Sequence, residues 1–374
     1  MSKQTLVCVV GARPNFMKIA PIIRELQAVG HLVQPYLVHT GQHYDQAMKD
    51  TFFQQLGIPA PDKDLEVGSG SHAVQTANIM LRFEPVLDEV KPFAVLVVGD
   101  VNSTIACGLV AVKKNIPLIH VEAGLRSYDR DMPEEINRIL TDQLSDVLFT
   151  TERAAADNLL KEGIAAQRIC FAGNVMIDTL LANCQQASPL QATLKNYGCG
   201  QAVSEKNYAL LTLHRPSNVD DPQTLARLIG VIGEISTKLP IVFPVHPRTQ
   251  QKIADSGLLS ALPAGQVIML PPVAYLEMLG LMQSARLVLT DSGGLQEETT
   301  ALGIPCVTLR ENTERPITVT EGTNTIVGTD PVKIMQCVDD ILASGGKSGR
   351  IPEYWDGKAA ARIVADILQR YRLT

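Results

Sequence analysis

Residues 286–303 read Arg-Leu-Val-Leu-Thr-Asp-Ser-Gly-Gly-Leu-Gln-Glu-Glu-Thr-Thr-Ala-Leu-Gly, and they decide the fold. The run 286–290 is short and apolar, as a buried strand is. Asp291-Ser292-Gly293-Gly294 is a turn, Leu295–Leu302 opens from it as a helix, and Gly303 ends that helix. A strand feeding a helix through a glycine turn is half of a βαβ unit, the building block of a parallel sheet.

The same alternation extends in both directions. Upstream, apolar runs at 5–10, 33–39, 94–98, 117–121, 146–150 and 168–172 each precede a turn containing Gly, Pro or Asp. Phe16, Ile19, Ala20, Ile23 and Leu26 after Pro14 have amphipathic helical spacing. The pattern weakens between about 183 and 206, at Ser188-Pro189, Gly198-Cys199-Gly200 and Ser204-Glu205-Lys206, which reads as a connection. Strands then restart at 208–213, 240–245, 266–270, 286–290, 305–309 and 325–327. The chain has 374 residues, more than one domain core usually holds. The expectation is an α/β fold of two Rossmann-like domains, 1–182 and 207–357, with a last helix over 358–374 after Tyr354-Trp355.

Composition narrows the function classes. Apolar residues make up 45% and charged residues 19%, which excludes a disordered or fibrous protein. A net charge of -6 without a long basic run argues against a nucleic-acid partner. The seven cysteines are scattered, odd in number and form no Cys-x-x-Cys, which reads as a reduced, cytoplasmic chain. Thr5–Val10 reads as a buried strand and not a signal peptide, and no apolar run is long enough to span a membrane.

In open parallel sheets ligands bind beyond the carboxyl ends of the strands, and the polar residues collect there. Arg13 and Lys18 follow 5–10; Gly41-Gln42-His43 follow 33–39; Gly99-Asp100 follow 94–98; Glu122 and Arg126 follow 117–121. In the second half His214-Arg215 follow 208–213, His246-Pro247-Arg248 follow 240–245, and Asp291–Gly294 follow 286–290. At this last turn the glycines let backbone N–H groups approach a ligand, and the helix N-terminus favours an anion. Asp291 and Ser292 could instead simply cap the helix. Glu298, however, could accept hydrogen bonds from ribose hydroxyls, so a diphosphate with a ribose beside it makes a coherent ligand.

A second constellation is Asp131-Met-Pro-Glu134-Glu135-Ile-Asn137-Arg138. Pro133 suits the first helical position, and Glu134 and Glu135 lie four and three residues before Arg138 on one helix face. A surface salt bridge is the ordinary outcome of such spacing. Yet Asp100, Glu122 and Glu134 could all reach one cleft. No H-E-x-x-H or Cys/His spacing supports a metal, and neither G-x-G-x-x-G nor a Walker A pattern is present.

Taken in order, Gly11-Ala-Arg-Pro14 with Lys18, Thr40-Gly-Gln-His43, Gly99-Asp100, His120-Val-Glu-Ala-Gly-Leu-Arg126, Pro133–Arg138, Thr212-Leu-His-Arg215, His246-Pro247, Asp291–Glu298, Thr313-Glu-Arg-Pro316 and Gly322-Thr-Asn324 resemble the UDP-N-acetylglucosamine 2-epimerases over nearly the whole chain. The resemblance implies a GT-B fold with a deep interdomain cleft and a C-terminal helix returning to the first domain. It implies interconversion of UDP-N-acetylglucosamine and UDP-N-acetylmannosamine in the cytoplasm by a homodimer, with no metal and no nicotinamide. By position, the catalytic group would be Asp100, Glu122, Glu134, Arg138 and His214. The substrate contacts would be Arg13, Lys18, His246, Ser292, Gly293, Gly294, Glu298 and Arg315.

The chemistry explains why such residues are needed. Carbon 2 of the sugar is not next to a carbonyl, so direct deprotonation is too costly. Loss of the diphosphate from carbon 1 builds positive charge that acidifies the neighbouring hydrogen. Two carboxylates are then needed, one to remove the proton and one to return it to the other face. Glu122 and Asp100 are assigned proton transfer, and Glu134 with Arg138 an electrostatic or positioning role.

Two departures from the resembled family stand out. Gln42, Gln46, Arg215 and His246 look similar to a second, activating substrate site of many bacterial members, but Glu66–Gln75 differs from those members, which carry a basic residue near there. Met278 stands where many members have an aromatic near the uracil. A diacetamido uronic acid epimerase, a hydrolysing 2-epimerase and a glycosyltransferase are the rival readings.

Overall fold

A computed structural model of the chain describes residues 4–41 and 53–373, apart from the Arg13 side chain. Gln42, His43 and Gln46 therefore lie outside the described residues. The chain divides into two units, Met1–Ala182 with Glu353–Thr374, and Asn183–Pro352.

The first unit holds β1 (Gln4–Val10), β2 (Val33–His39), β3 (Lys63–Asp64), β4 (Ala94–Val98), β5 (Leu118–Ala123), β6 (Val147–Thr150) and β7 (Ile169–Phe171). They form one sheet in the order β3-β2-β1-β4-β5-β6-β7, and every pairing is parallel. The second unit holds β8 (Ala209–Thr212), β9 (Ile241–Pro244), β10 (Val267–Leu270), β11 (Leu287–Thr290), β12 (Cys306–Thr308) and β13 (Asn324–Ile326), again all parallel, in the order β10-β9-β8-β11-β12-β13. The sequence reverses direction between β1 and β4 in one sheet and between β8 and β11 in the other, and ligand crevices form at such switch points. Strands such as β4 and β8 are buried along their whole length, because helices cover both faces of a parallel sheet.

The expected strands are all present. β3 was not foreseen: it is a two-residue edge strand, Lys63-Asp64, with no apolar run to announce it. The segment 183–206, read as a connection, instead folds onto the second unit. Ser188 N donates to Leu276 O at 2.9 Å, the Tyr197 hydroxyl donates to Glu277 at 2.9 Å, and Gly280 gives room for the Ser188 carbonyl. At the other boundary, residues 353–357 pack on the first unit, where Tyr354 stacks on Phe171 and Trp355 is buried with Nε1 donating to Thr151 O.

The last helix, Ala359–Arg370, is held by Asp178, whose carboxylate accepts from the amides of Ala359 (3.1 Å) and Ala360 (2.7 Å). Burial pushes the Asp178 pKa up to about 6, against the pull of those amides. The folded carboxyl thus binds its proton more tightly than the unfolded one. Its contribution to stability is complete near pH 4 and is lost as pH rises toward 6, roughly 3 kcal/mol for a difference of about two pKa units. Asp178→Asn is therefore expected to flatten the slope of Tm against pH between about 4 and 6. An unchanged slope would assign it to another group.

Candidate active site

In the first unit the chemistry collects where β4 and β5 end. The helix Pro133–Leu144 lies over these ends; Pro133 occupies its first turn, and Glu134 and Glu135 suit the positive N-terminus. Its buried face carries Glu135, Arg138 and Asp142. Arg138 Nη1 donates to Asp100 Oδ2 at 2.5 Å, and its Nη2 and Nε donate to Glu135 Oε2 at 2.7 and 3.0 Å. Glu135 also accepts from the amides of Ser127 (3.0 Å) and Tyr128 (2.9 Å). Burial works against its charge, but these donors hold its pKa below the ordinary glutamate value. Asn137 Nδ2 donates to the Asp100 carbonyl at 2.9 Å.

Arg138 was expected to work with Glu134; its partners are Glu135 and Asp100. Glu134 is half-buried and lines a small pocket with His72, Gln75, Asn102 and Asn137. Lys18 was expected among the diphosphate contacts. It is buried in the first unit, with Nζ donating to Glu122 Oε1 at 2.7 Å. Gly99 makes this possible: it has φ 68°, and a Cβ there would lie 2.7 Å from the ammonium. Asn15, which sequence reasoning passed over, shapes the preceding turn by accepting from Gly11 and Ala12 and donating to Val98 O.

In the second unit, the turn after β11 opens the helix Gly293–Leu302. The simple capping explanation fails here. The Ser292 side chain makes no cap hydrogen bond, and Asp291 points to the end of β8. Asp291 is fully buried; it accepts from the amides of His214 (2.9 Å) and Arg215 (2.8 Å) and pairs with His214 Nδ1 at 2.8 Å. Burial alone would raise its pKa, but the imidazole and the amides hold it below the ordinary aspartate value. Nδ1 of His214 therefore faces Asp291, and Nε2 is the ring nitrogen on the other edge. The His214 side chain is 48% exposed, as a ligand-facing group should be.

Arg215, Arg310 and Arg315 gather behind the same helix N-terminus. Arg310 pairs with Glu314 at 2.8 Å, Arg215 with Glu314 at 3.6 Å, and Arg315 with Glu297 at 2.9 Å. The three guanidiniums thus stand at the helix end whose dipole favours an anion. Glu314 is buried, which opposes its charge, yet the three arginines hold its pKa far below the usual range. Arg215, read with the second-site residues, belongs to this cluster. Removing one partner of a buried pair costs about 3 kcal/mol or more, so Glu314→Gln is expected to lower unfolding stability by that amount in denaturant titration. A loss below about 1 kcal/mol would mean that the guanidiniums find other partners.

Arg310 and Glu314 were not anticipated, although the strand-end rule applied to 305–309 would have reached Arg310. Glu298 is buried and accepts from the Tyr275 hydroxyl at 3.3 Å. His246 is exposed, and its Nδ1 accepts from the Arg248 amide at 3.3 Å, a helix cap. Among the described residues no group of three or more His, Cys, Asp or Glu is arranged to hold a metal ion, and no helix is long and apolar enough to cross a membrane.

Known proteins resemble this chain over nearly its whole length. A family model described as UDP-N-acetylglucosamine 2-epimerase matches residues 24–368. The chain is 43% identical to the UDP-N-acetylglucosamine 2-epimerase of Methanococcus maripaludis, over 92% of this chain and 95% of that protein. It is 42% identical to the UDP-2,3-diacetamido-2,3-dideoxy-D-glucuronate 2-epimerase of Pseudomonas aeruginosa, over 93% and 98%. The crystal structure of Methanocaldococcus jannaschii UDP-GlcNAc 2-epimerase in complex with UDP-GlcNAc and UDP superposes with a TM-score of 0.89 at 40% identity, covering 98% of this chain and 99% of that one.

Proposed function

Since the chain belongs to the UDP-N-acetylglucosamine 2-epimerase family, we propose that it inverts carbon 2 of UDP-N-acetylglucosamine to give UDP-N-acetylmannosamine, reversibly, by elimination and return of UDP. The chain is an isomerase of nucleotide sugars. One observation carries the assignment of residues: Asp100 and Glu122 stand at the ends of adjacent strands, and each carboxylate is bonded to its own buried cation, Arg138 or Lys18.

In the mechanism we infer, the diphosphate is held by the N–H groups of Gly293 and Gly294, by Ser292, and by the positive field of Arg215, Arg310 and Arg315. Glu298 takes ribose hydroxyls, and His214 donates from Nε2 to the departing diphosphate. These groups stabilise the charge that develops as the bond to carbon 1 breaks. One of Asp100 and Glu122 starts ionised and removes the hydrogen of carbon 2, leaving 2-acetamidoglucal. The other starts protonated and returns a proton to the opposite face, after which UDP adds back. The reverse direction exchanges their roles. Arg138 holds Asp100 in place through the Glu135 bond, and Glu134 faces the sugar from the helix N-terminus.

The P. aeruginosa relative favours a second reading, a diacetamido uronate as substrate. Assaying the two UDP-sugars side by side decides between them. UDP-N-acetylglucosamine should turn over with a kcat/KM at least tenfold higher, and the opposite ratio would establish the second reading. A steady rise of free UDP with N-acetylmannosamine would instead mark a hydrolysing 2-epimerase.

The proposal includes a cytoplasmic homodimer that supplies cell-surface polysaccharide synthesis. Seven unbridged cysteines suit a reducing compartment. Val74 and Leu81, 54% and 69% exposed and seven residues apart on the helix His72–Val90, suit a face that a second copy covers. Light scattering at the mass of one chain would exclude the dimer.

A further inference from the structure

Glu122 occupies left-handed backbone, φ 73°, where the pairing of β5 with β6 slips between Val121 and Ala123. A bulge of this kind re-aims a side chain, and a residue other than glycine stays there only when its surroundings hold it. The restraint comes from both sides of Glu122 and converges on one carboxylate. His120 Nδ1, two residues before, lies 2.7 Å from Asp142 Oδ1, and the Gly124 amide, two residues after, donates to Asp142 Oδ2 at 3.0 Å. His120 Nε2 reaches the carbonyl of Gly99 at 2.8 Å, the residue before Asp100.

Both nitrogens of His120 thus lie against oxygen atoms, so the ring is fixed at both edges. Asp142 also takes Arg126 Nη2 at 2.7 Å, and Arg126 binds Glu162 at 2.8 and 2.6 Å, so the carboxylate is itself held in place. His120 and Asp142 are fully buried and do not reach a ligand directly.

We propose that Asp142 and His120 form a positioning pair that holds Glu122 in its left-handed turn and sets its distance from Asp100. The inference rests on Glu122 and Asp100 being the proton-transfer groups. Asp142 lies four residues after Arg138 on the same buried helix face, so one helix would align both carboxylates, Asp100 through Arg138 and Glu122 through Asp142.

The test compares Asp142→Asn with Arg126→Gln in the full chain. Asparagine keeps the size of the side chain but offers His120 no anion. Arg126→Gln removes another partner of the same carboxylate and touches neither His120 nor Gly124. Both are expected to lower Tm. Only Asp142→Asn should lower kcat, tenfold or more, with KM for UDP-N-acetylglucosamine within threefold of wild type. His120→Gln should give the same split and add little to Asp142→Asn. In a crystal structure of Asp142→Asn, Glu122 should leave φ near 73° or lose Lys18. Wild-type kcat in Asp142→Asn, or equal loss of kcat in Asp142→Asn and Arg126→Gln, overturns the pair as a positioning device. If the wild-type protein fails to epimerise, the functional reading falls, and an unchanged bulge in the Asp142→Asn crystal then overturns the positioning pair as well.

Discussion

Glu122→Gln and Asp100→Asn are each expected to lower kcat at least a hundredfold while KM for UDP-N-acetylglucosamine moves less than about fivefold, because a positioned acid or base contributes 10² to 10⁴ in rate. The amides keep the shape of the carboxylates but can neither take nor give the proton of carbon 2. The two variants should differ in stability. Glu122→Gln leaves the buried Lys18 ammonium without the carboxylate 2.7 Å away, so its Tm should fall. Asp100 is half-buried, and its partner Arg138 keeps Glu135, so Asp100→Asn should change Tm little. Steady-state kinetics beside a thermal melt separates loss of chemistry from loss of fold. Near-normal turnover in both variants would remove these residues from the reaction.

Gly293→Ala should weaken UDP binding by at least tenfold, about 1.4 kcal/mol, in isothermal titration. A Cβ at Gly293 would run into Glu314 Oε1, which Arg310 and Arg215 hold from behind. To relieve the contact either the helix N-terminus or the arginine cluster must shift, and both are assigned to the diphosphate. Ser292→Ala is the informative companion. The Ser292 side chain makes no cap bond, so its loss should leave Tm nearly unchanged, without the usual cost of about 1 kcal/mol for a lost cap. Any fall in UDP affinity then reports a contact with the ligand. Wild-type affinity in Gly293→Ala would place the diphosphate elsewhere.

Much of this was legible in the sequence for physical reasons. Buried parallel strands leave continuous apolar runs, so the strands of both sheets could be read directly, and their carboxyl ends pointed to Asp100, Glu122, His214 and Asp291. Lys63-Asp64 escaped because two polar residues on a sheet edge bury too little to leave a pattern. The boundaries moved because Ser188, Tyr197 and Trp355 are anchored by contacts to residues far away in the chain, and no local composition records such contacts.

Partners were harder to read than positions. Helical spacing allowed Arg138 either Glu134 or Glu135, and three-residue spacing with two loop amides chose Glu135. Lys18 lies 104 residues from Glu122 in the chain, so only the neighbouring ends of β1, β4 and β5 bring them together. Asp142 left a trace in the sequence, since it continues at i+7 the helix face that Glu135 and Arg138 begin at i and i+3. Its significance depends on the bulge at Glu122, which propensity does not reveal.

The most direct test of the whole account is a single incubation of the protein with UDP-N-acetylglucosamine in deuterated water, followed by magnetic resonance at carbon 2. Elimination and return predict deuterium at carbon 2 of UDP-N-acetylmannosamine and, as equilibrium is approached, of the recovered UDP-N-acetylglucosamine, without net release of UDP. UDP-N-acetylmannosamine that forms without deuterium at carbon 2, or recovered substrate with neither deuterium nor product beside it, would contradict it.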